Sequence, residues 1–297
     1  MSVFHAGERA IQQRAGFGDA ALTVGERFIR GVMPEQHQVF FAQLPFVVVG
    51  VLDAQGQARA GLLAGAPGFM NSPDDRHLDI QAGAVVGEGV AERLTPGAQI
   101  GLLGIEAHTR RRNRLNGLVA DALDGRVSVR VTQSFGNCPK YIYPRRIEWA
   151  PIVAGVKRVV SGWDADARRM VAAADTFFIA TAHPEAADAS AAAHGVDVSH
   201  RGGEAGFVCI RDATLSVPDY PGNRFFNTLG NLELNPWAGL LFIDFEARSF
   251  LQLAVRARLE WLPPSQTESK GNNRVLHFDV LAAQRTEGVL PLVLAAQ

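Results

Sequence analysis

The chain has 297 residues, of which 47% are hydrophobic and 20% are charged, and its formal net charge at neutral pH is -1. This balance is typical of a globular protein, and the length suits one large or two ordinary domains. The near-zero charge disfavours nucleic acid as a main partner, because contacts to many phosphates require an excess of Lys and Arg.

The apolar runs and the cysteines exclude further classes of protein. The longest apolar run, residues 44–52, is far shorter than the roughly 20 residues of a membrane-spanning helix. Residues 1–14 lack the continuous apolar core of a secretory signal, so we expect no membrane association and a cytoplasmic location. Cys138 and Cys209 share no metal-ligand spacing, and the sequence therefore predicts neither a disulfide framework nor a metal site.

The first strongly patterned elements in chain order are a helix followed by a strand. Pro34 stands at a suitable first helical position, and residues 34–44 keep an apolar face. Residues 45–52 are rich in β-branched side chains and predict a buried strand. The same order returns later, with a predicted helix at residues 164–174 and a predicted strand at residues 176–181.

Three separated places match between the two halves of the chain, which indicates an internal repeat. Phe46 matches Phe177 at an offset of 131 (177 − 46). The other two matches share an offset of 138 (206 − 68 and 239 − 101) and join Gly68-Phe69 to Gly206-Phe207 and Gly101-Leu102-Leu103 to Gly239-Leu240-Leu241. We assign the difference of seven (138 − 131) to a longer loop in the Ala-rich residues 184–194.

Each half has one leading helix and then short strands separated by Gly, Pro and Asp, a pattern typical of an antiparallel barrel. We place the domain boundary after Trp149, which gives domains of residues 1–150 and 151–297, and expect a polar loop at residues 263–273. A protein that descends from a twofold homodimer keeps that interface within one chain. The two barrels should therefore pack together as an internal pseudo-dimer, which could itself form a homodimer.

Two segments of the second half concentrate groups suited to a phosphate. Arg201 and Arg224 offer guanidinium groups, and Ser199, Asn227 and Thr228 offer hydroxyl and amide groups close to glycines. This chemistry predicts an anion site. The alternative is an exposed pair of arginines on strands, with Asn and Gly forming turns, and the residues by themselves favour neither.

These segments resemble the pyridoxamine 5'-phosphate oxidase-like split-barrel flavoproteins. The similarity is clearest over residues 176–245, where four motifs follow in that family's order: Ser199-His200-Arg201-Gly202, Pro221-Gly222-Asn223-Arg224, Asn227-Thr228-Leu229-Gly230-Asn231 and Asn235-Pro236-Trp237-Ala238-Gly239-Leu240-Leu241-Phe242. The resemblance implies a mainly β fold of two tandem split barrels with short helices, and an FMN cofactor. It also implies that Ser199, Arg201, Arg224, Asn227 and Thr228 hold the FMN phosphate. Thr228 stands near where the vitamin-converting enzymes carry a lysine, so the resemblance is to the wider family.

In the first half, residues 131–142 are similar to a segment of flavin-binding relatives, whose Gln-Ser pair reaches the flavin of the neighbouring subunit. The resemblance assigns this role to Gln133 and Ser134, with Asn137 nearby. The structural alternative is a strand that ends in a Gly-Asn turn beside a buried Cys138.

One chain should then build one FMN site, with the phosphate held by the second half and the ring or ribityl chain contacted by the first. Subtracting the offset of 138 from the phosphate ligands Ser199, Arg201, Arg224 and Thr228 gives Gly61, Leu63, Val86 and Val90, which offer no side-chain donor. Adding the same offset to Gln133 and Ser134 gives Gly271 and Asn272, without the Gln-Ser pair.

Three other features carry open alternatives. Arg110, Arg112 and Arg114 could form a stripe along one face of a strand that recognises an acidic group, or a solvated face. His200 could donate a proton near the flavin or only orient a neighbour. Cys138 could be a redox thiol or a structural one.

The resemblance implies an oxidoreductase in which FMN passes a hydride or an electron pair between a donor such as NAD(P)H and a small substrate or oxygen. The sequence assigns neither the substrate nor a catalytic residue. The alternative is a non-catalytic flavin- or nucleotide-binding module that acts as a carrier, sensor or accessory protein. Some relatives bind a deazaflavin or haem, and the phosphate motif does not separate flavin from deazaflavin.

Overall fold

The structure is a computed structural model that describes residues 2–152, 157–188, 191–263 and 273–295. Within these residues the chain is mainly β, with eighteen strands and five α-helices. The helices are α1 (Ala6–Arg14), α2 (Gly18–Phe28), α3 (Glu35–Ala42), α4 (Ala165–Ala173) and α5 (Asn227–Leu234). None of them has the length and apolar character that crossing a membrane would require.

The strands divide into two sets. Those of the first half are β1 (Phe46–Leu52), β2 (Ala58–Ala64), β3 (Met70–Asp74), β4 (His77–Gln81), β5 (Ala84–Val86), β6 (Gln99–Glu106), β7 (Arg111–Leu123), β8 (Arg126–Gly136) and β9 (Ile147–Trp149). Those of the second half are β10 (Arg158–Ser161), β11 (Thr176–Ala182), β12 (Val196–Gly202), β13 (Cys209–Arg211), β14 (Thr214–Pro218), β15 (Trp237–Asp244), β16 (Ser249–Trp261), β17 (Arg274–Glu287) and β18 (Leu292–Leu294). The two predicted pairs of helix and strand are confirmed as α3–β1 and α4–β11, although Pro34 caps α3 instead of opening its first turn.

Two antiparallel sheets have the same strand order. The first runs β3-β4-β8-β7-β6-β1-β2-β5, and the second, read in the same direction, runs β13-β14-β17-β16-β15-β11-β12, with β10 added beside β17. Seven strands of the first sheet therefore correspond to seven of the second, and α5 takes the place of β5 in chain order. The predicted fold class, mainly β with two tandem split barrels and short helices, is confirmed.

Strand pairing gives the register of the two sheets directly. The first residues of β6 and β15 are separated by the offset of 138 (237 − 99), and so are those of β7 and β16 (249 − 111). Val48 pairs with Leu103 in the first sheet, and Phe178 pairs with Leu241 in the second. Because Leu103 and Leu241 are related by the same offset (241 − 103), Val48 corresponds to Phe178, and the offset in this strand is 130 (178 − 48).

The predicted match of Phe46 with Phe177 is therefore wrong by one position. Such a shift moves a side chain to the opposite face of a sheet. Phe46 accordingly lies in the core between the sheets with Phe178, whereas Phe177 lies in a core of the second half. The offsets differ by eight (138 − 130) and not by seven, because residues 183–195 connect β11 to β12 whereas only residues 53–57 connect β1 to β2.

The two sheets pack against each other through an apolar core to which both contribute. Phe46, Val48 and Leu62 enter it from the first sheet, and Phe178 and Val198 enter it from the second, all of them buried. Separate apolar clusters fill each half. The predicted apolar interface of a pseudo-dimer is confirmed.

The ends of the chain interlock the halves further, because β9 pairs with β18 and α1 packs on α5. The domain boundary itself stays a prediction, since residues 153–156 lie outside the described ranges. The same holds for residues 189–190 of the Ala-rich loop and for most of the predicted polar loop, residues 264–272.

Candidate functional site

A cleft of about 90 Å³ lies where the two halves meet, between β12 and the start of α5 on one side and β6 and β7 on the other. Because residues from both halves line it, neither half forms the cleft by itself. Its polar lining residues include Arg112, Arg114, Asn137, Ser199, His200, Arg201, Asp219, Asn223, Arg224, Asn227 and Thr228.

The cleft is cationic. Arg112, Arg114, Arg201 and Arg224 line it, and Asp219 is the carboxylate among its described lining residues. Burial lowers the pKa of Arg112 to about 10, which still leaves its guanidinium charged at neutral pH. An anion is therefore the ligand that the charges favour.

Three buried N–H groups at the cleft have no hydrogen-bond acceptor among the described residues. They are Arg114 Nε, Arg201 Nε and Asn137 Nδ2. A buried donor left without an acceptor costs about 1–3 kcal/mol, so several in one place indicate acceptors supplied by water or a ligand. A phosphate carries many acceptor oxygens and matches a set made only of donors.

The backbone before α5 turns sharply and brings the first residues of that helix to the cleft. Arg224 and Phe226 have φ of 67° and 60°, in the left-handed region that bulky residues rarely adopt. Such strain persists only where the surrounding structure imposes it, and it is common at binding sites. Asn227 and Thr228 thus open α5 at the cleft, where the N-terminal end of a helix favours an anion.

The structure brings the five predicted phosphate residues together in this cleft. Thr228 Oγ1 donates to Ser199 Oγ at 2.9 Å, and Arg201 Nη1 donates to Asp219 Oδ1 at 2.6 Å. The Arg224 guanidinium lies 4.1 Å from the centre of the Phe17 ring. Asn227 Nδ2 donates to Oε1 of the Glu8 carboxyl group on α1. That these five residues bind phosphate stays a prediction.

Gln133 and Ser134 do not line the cleft. Gln133 Nε2 donates to the carbonyl oxygen of Val3 at 3.1 Å, and the Ser134 hydroxyl lies 2.8 Å from His37 Nδ1. Both side chains are buried. The polar residue of this segment that lines the cleft is Asn137, which accepts a hydrogen bond from Asn223 at 3.2 Å.

The basic run divides between the cleft and the surface. Arg112 and Arg114 lie on one face of β7 and line the cleft, as the alternation predicts. Arg110 precedes the strand in a left-handed turn with φ of 58°, so it does not extend the stripe. Arg111 faces the other way, with its guanidinium 5.0 Å from the centre of the Phe40 ring.

Behind the cleft lies a buried polar network that ties it to α1. Arg114 Nη1 donates to Asp197 Oδ1 at 3.0 Å, and Arg114 also donates to Ser199. Asn116 Nδ2 donates to the same Asp197 oxygen at 2.7 Å. Burial, and next the negative charge of Asp197, raises the pKa of the Glu8 carboxyl well above its usual range.

His200 is held as a neutral ring. Burial, followed by the charges of Arg112 and Arg201, lowers the pKa of His200 well below its usual range. Arg112 Nη1 lies 2.9 Å from His200 Nδ1, and a guanidinium can only donate, so Nδ1 accepts and the ring proton is on Nε2. These contacts favour the alternative in which His200 orients a neighbour.

No family model and no curated protein matches this chain. Solved structures are similar to parts of it, among them a protein of the pyridoxinephosphate oxidase family from Clostridium acetobutylicum, related to a general stress protein, with 11% identity and a TM-score of 0.30 over 44% of this chain and 91% of that one. A FAD-binding protein from Mesorhizobium loti has 12% identity and a TM-score of 0.30, over 44% and 98% of the two chains. The heme storage protein HutZ from Vibrio cholerae has 13% identity and a TM-score of 0.29, over 42% and 95%. The matched structures include members of the family that the sequence motifs resemble.

A second cavity, of about 280 Å³, shares His200 with the cleft. Apolar side chains form most of its wall, and both halves supply them, including Phe46, Ile142, Met170 and Phe178. Four charged residues also line it: Arg145, Asp175, Asp244 and Glu246. An anion site and an apolar cavity therefore adjoin at one histidine.

The pseudo-equivalent position in the first sheet lacks the side chains that are predicted to bind phosphate. Ala64 and Gly202 pair with corresponding residues of β1 and β11, which confirms the offset of 138 (202 − 64) between β2 and β12. Gly61 and Leu63 are therefore the equivalents of Ser199 and Arg201. For the other segment the predicted counterparts, Gly271 and Asn272, lie outside the described residues. Strand pairing instead makes Ala282 and Ala283 the counterparts of Gln133 and Ser134.

Glu8, Asp197 and Asp219 are site residues that the sequence did not predict, and the sequence left the role of Arg112 and Arg114 open. The arginines carried a detectable signal, since a charged residue at every second position of a strand shares one face. Glu8 carried none, because nothing in the sequence around it indicates that α1 packs on α5, which belongs to the other half of the chain.

Proposed function

We propose that the cleft binds the phosphate of FMN and that the chain is an FMN-dependent oxidoreductase acting on a small substrate. The observation that carries the proposal is the set of three buried donors without acceptors, Arg114 Nε, Arg201 Nε and Asn137 Nδ2, in a cleft lined by four arginines. The phosphate would take hydrogen bonds from Arg201, Ser199 and Thr228, with Arg224 and the N-terminal end of α5 adding positive potential.

The neighbouring apolar cavity supports a ligand with a flat ring joined to its phosphate. Its volume of about 280 Å³ and its apolar wall suit an isoalloxazine better than a second charged group. Bound flavin would supply hydride or electron-pair transfer, with NAD(P)H as a candidate donor. The chain's own part is to bind the phosphate, to exclude water from the ring and to hold His200 neutral beside it.

In this proposal the domain of residues 151–297 carries the phosphate site and that of residues 1–150 completes it. Arg112, Arg114 and Asn137 are the polar first-half residues at the cleft. Gln133 acts from the layer behind it through Asn116, and Ser134 follows Gln133 in β8 with its hydroxyl on His37. One chain then holds one cofactor. A homodimer and a cytoplasmic location belong to the same proposal.

The second candidate is a flavin- or nucleotide-binding module without turnover. The observation that favours it is the state of His200, whose ring is neutral and fixed by Arg112 and therefore provides no acid at neutral pH. Turnover of NAD(P)H by the flavin-loaded chain would decide for the enzyme, and tight binding without turnover would decide for the module.

The test is the absorption spectrum of the purified chain, followed by titration with FMN. We expect maxima at about 370 and about 450 nm, the flavin signature, and saturation at one FMN per chain. A Soret band, failure to bind FMN, or two equivalent FMN molecules per chain would contradict the proposal.

A further inference from the structure

The loop between β11 and β12 brings two histidines and a glutamate together at the end of these strands that is remote from Arg201. His183 directly follows β11, and His194 lies two positions before β12 begins. The backbone N–H of His183 donates to the carbonyl of Gly195 at 3.2 Å, which continues the strand ladder to the base of the loop. The sheet therefore positions both histidines, although they are not neighbours in the sequence.

The side chains converge closely. One ligand atom from each of His183, Glu185 and His194 lies within 4.8 Å of the other two. The two imidazole rings stack with centres 3.9 Å apart, and Glu185 Oε2 lies 3.2 Å from His194 Nδ1. The His5 ring stands edge-on to His183, with centres 5.0 Å apart, and closes the inner side of the cluster.

We propose that His183, His194 and Glu185 bind a divalent transition metal ion of the zinc class. Imidazole nitrogen and carboxylate oxygen are the ligands that Zn²⁺, Co²⁺ and Ni²⁺ accept, and three such ligands with a water complete a tetrahedral site. The ion pins the inserted loop to the ends of β11 and β12. The sequence predicts no metal site because the ligands share no local spacing, and only the strand pairing brings residue 183 to residue 194.

Binding requires a small rearrangement that the exposure of the cluster permits. A metal ion lies near the plane of each imidazole that ligates it, at about 2.0–2.1 Å from the nitrogen, so the stacked rings must turn apart. His194 and Glu185 have room to move, with side chains 30% and 71% exposed. His183 is buried, and its Nδ1 accepts a hydrogen bond from the backbone N–H of Glu185 at 3.2 Å. A ligating imidazole carries its proton on the other nitrogen, so this hydrogen bond must open when Nε2 binds the ion.

The experiment is titration of the full chain, without a histidine tag, with ZnCl₂ by calorimetry and with CoCl₂ by visible absorption. We expect one ion per chain and a Co²⁺ spectrum of low coordination number. His194→Asn and Glu185→Gln should each weaken binding by about tenfold or more, the scale on which ligand-sphere changes act. His183→Asn should abolish binding. If this substitution at a buried residue prevents folding, His194→Asn and Glu185→Gln, at more exposed residues, still test the proposal.

His77→Asn is the matched control. His77 and Asp74 form a histidine–carboxylate pair of similar exposure, with Nδ1 3.0 Å from the carboxylate, but are not part of the cluster. The affinity of the His77→Asn variant for Zn²⁺ should equal that of the wild type. Absence of saturable binding, unchanged affinity in both exposed variants, or an equal loss in His77→Asn would overturn the proposal.

Discussion

At the scale of single residues, the contacts of each cleft arginine decide how cleanly its substitution tests the phosphate site. Arg201 bonds Asp219, which also accepts a hydrogen bond from Arg274 Nε at 2.8 Å, so Asp219 keeps one cationic partner if Arg201 is removed. Arg224 contacts an aromatic ring and sits at the strained turn before α5. Substitution of Arg201 is therefore the cleaner test of the phosphate site.

Arg201→Ala should weaken FMN binding by about 1.5–3 kcal/mol, the contribution of a charge-assisted hydrogen bond. Arg224→Ala should weaken it by a similar amount. The control is Arg59→Ala, which removes an Arg–Asp pair of the first sheet outside the cleft, where Arg59 Nε donates to Asp53 Oδ2 at 2.8 Å. Fluorescence titration measures the three dissociation constants, and full affinity in Arg201→Ala would rule out this residue as a phosphate ligand.

Glu8 is the residue whose pH dependence the structure determines most clearly. Its pKa is raised well above 4.5 in the folded chain, mainly by burial. The unfolded chain therefore releases this proton at lower pH than the folded chain, and the free energy of unfolding falls as the pH rises above 4.5. His5 acts oppositely, since burial lowers its pKa from 6.5 to about 4 and its contribution is lost as the pH falls through that range.

Glu8→Gln should therefore remove a decline in stability that the wild type shows as the pH rises above 6.5, beyond the range in which His5 titrates. Glutamine keeps the shape of a protonated Glu and can still accept from the backbone N–H of His5, which lies 2.8 Å from Glu8 Oε2. Urea unfolding at several pH values measures the difference between the two proteins. Parallel pH profiles would show that Glu8 is ionised in the folded chain.

At the scale of elements, the contact of α1 with α5 holds the start of α5 at the cleft. Two glycines make it possible: a Cβ on Gly230 would lie 2.5 Å from Glu8 Cα, and a Cβ on Gly7 would overlap the carbonyl oxygen of Gly230. The helix backbones touch, so neither can move without the other. The sequence pattern predicted α3 and α4 but not α1, whose apolar face is short.

Gly230→Ala should lower stability by about 1–3 kcal/mol, because overpacking at a backbone contact outweighs the better helix propensity of alanine. It should also weaken FMN binding, since Asn227 and Thr228 shift with α5. Gly18→Ala is the control, because the added Cβ on α2 would lie 3.3 Å from the Gln13 side chain and 3.7 Å from Gln13 Cα, without a close backbone contact. Thermal unfolding and FMN titration of both variants test this, and a Gly230→Ala protein as stable as the wild type would refute the contact.

At the scale of the whole molecule, the sheets approach each other closely at two pseudo-equivalent glycines, Gly101 and Gly239, which are related by the offset of 138 (239 − 101). A Cβ on Gly101 would lie 2.5 Å from the carbonyl oxygen of Val196 in β12, and a Cβ on Gly239 would lie 2.7 Å from that of Ala58 in β2. Each contact is between backbones of different halves. The two glycines are therefore matched positions for substitution. Gly101 lies against β12, which carries cleft residues, whereas Gly239 lies against β2, which carries none.

Gly101→Ala and Gly239→Ala should both lower the unfolding midpoint, by amounts of the same order, because each inserts a methyl group against a backbone that cannot retreat. Gly101→Ala should in addition weaken FMN binding, because β12 carries Ser199 and Arg201, whereas β2 carries Gly61 and Leu63 in their place. Differential scanning calorimetry and FMN titration separate the two effects. Equal FMN affinity in both variants would contradict the one-site model.

The sequence alone indicated the strand-rich architecture and the duplication. It also predicted as phosphate ligands five residues that the structure collects in one cleft: Ser199, Arg201, Arg224, Asn227 and Thr228. These features follow from local patterns of apolar and polar residues, which act over a few positions and so remain visible in one dimension. The correspondence of β1 with β11 was missed by one position, because the sequence match joined the nearest phenylalanines, Phe46 and Phe177. Strand pairing instead makes Thr176 the counterpart of Phe46 and Phe178 the counterpart of Val48, and only pairing shows which face each side chain takes.

Tertiary structure alone decided which charges are buried and what they face. Arg112 and Arg114 become cleft residues, Gln133 and Ser134 lie behind it, and Glu8 loses its solvent because α1 packs across the start of α5. The same holds for His183 and His194, which meet only because β11 and β12 are paired. Such contacts join residues far apart in the chain, and no local pattern carries them, since burial and electrostatic environment depend on the packing of whole elements.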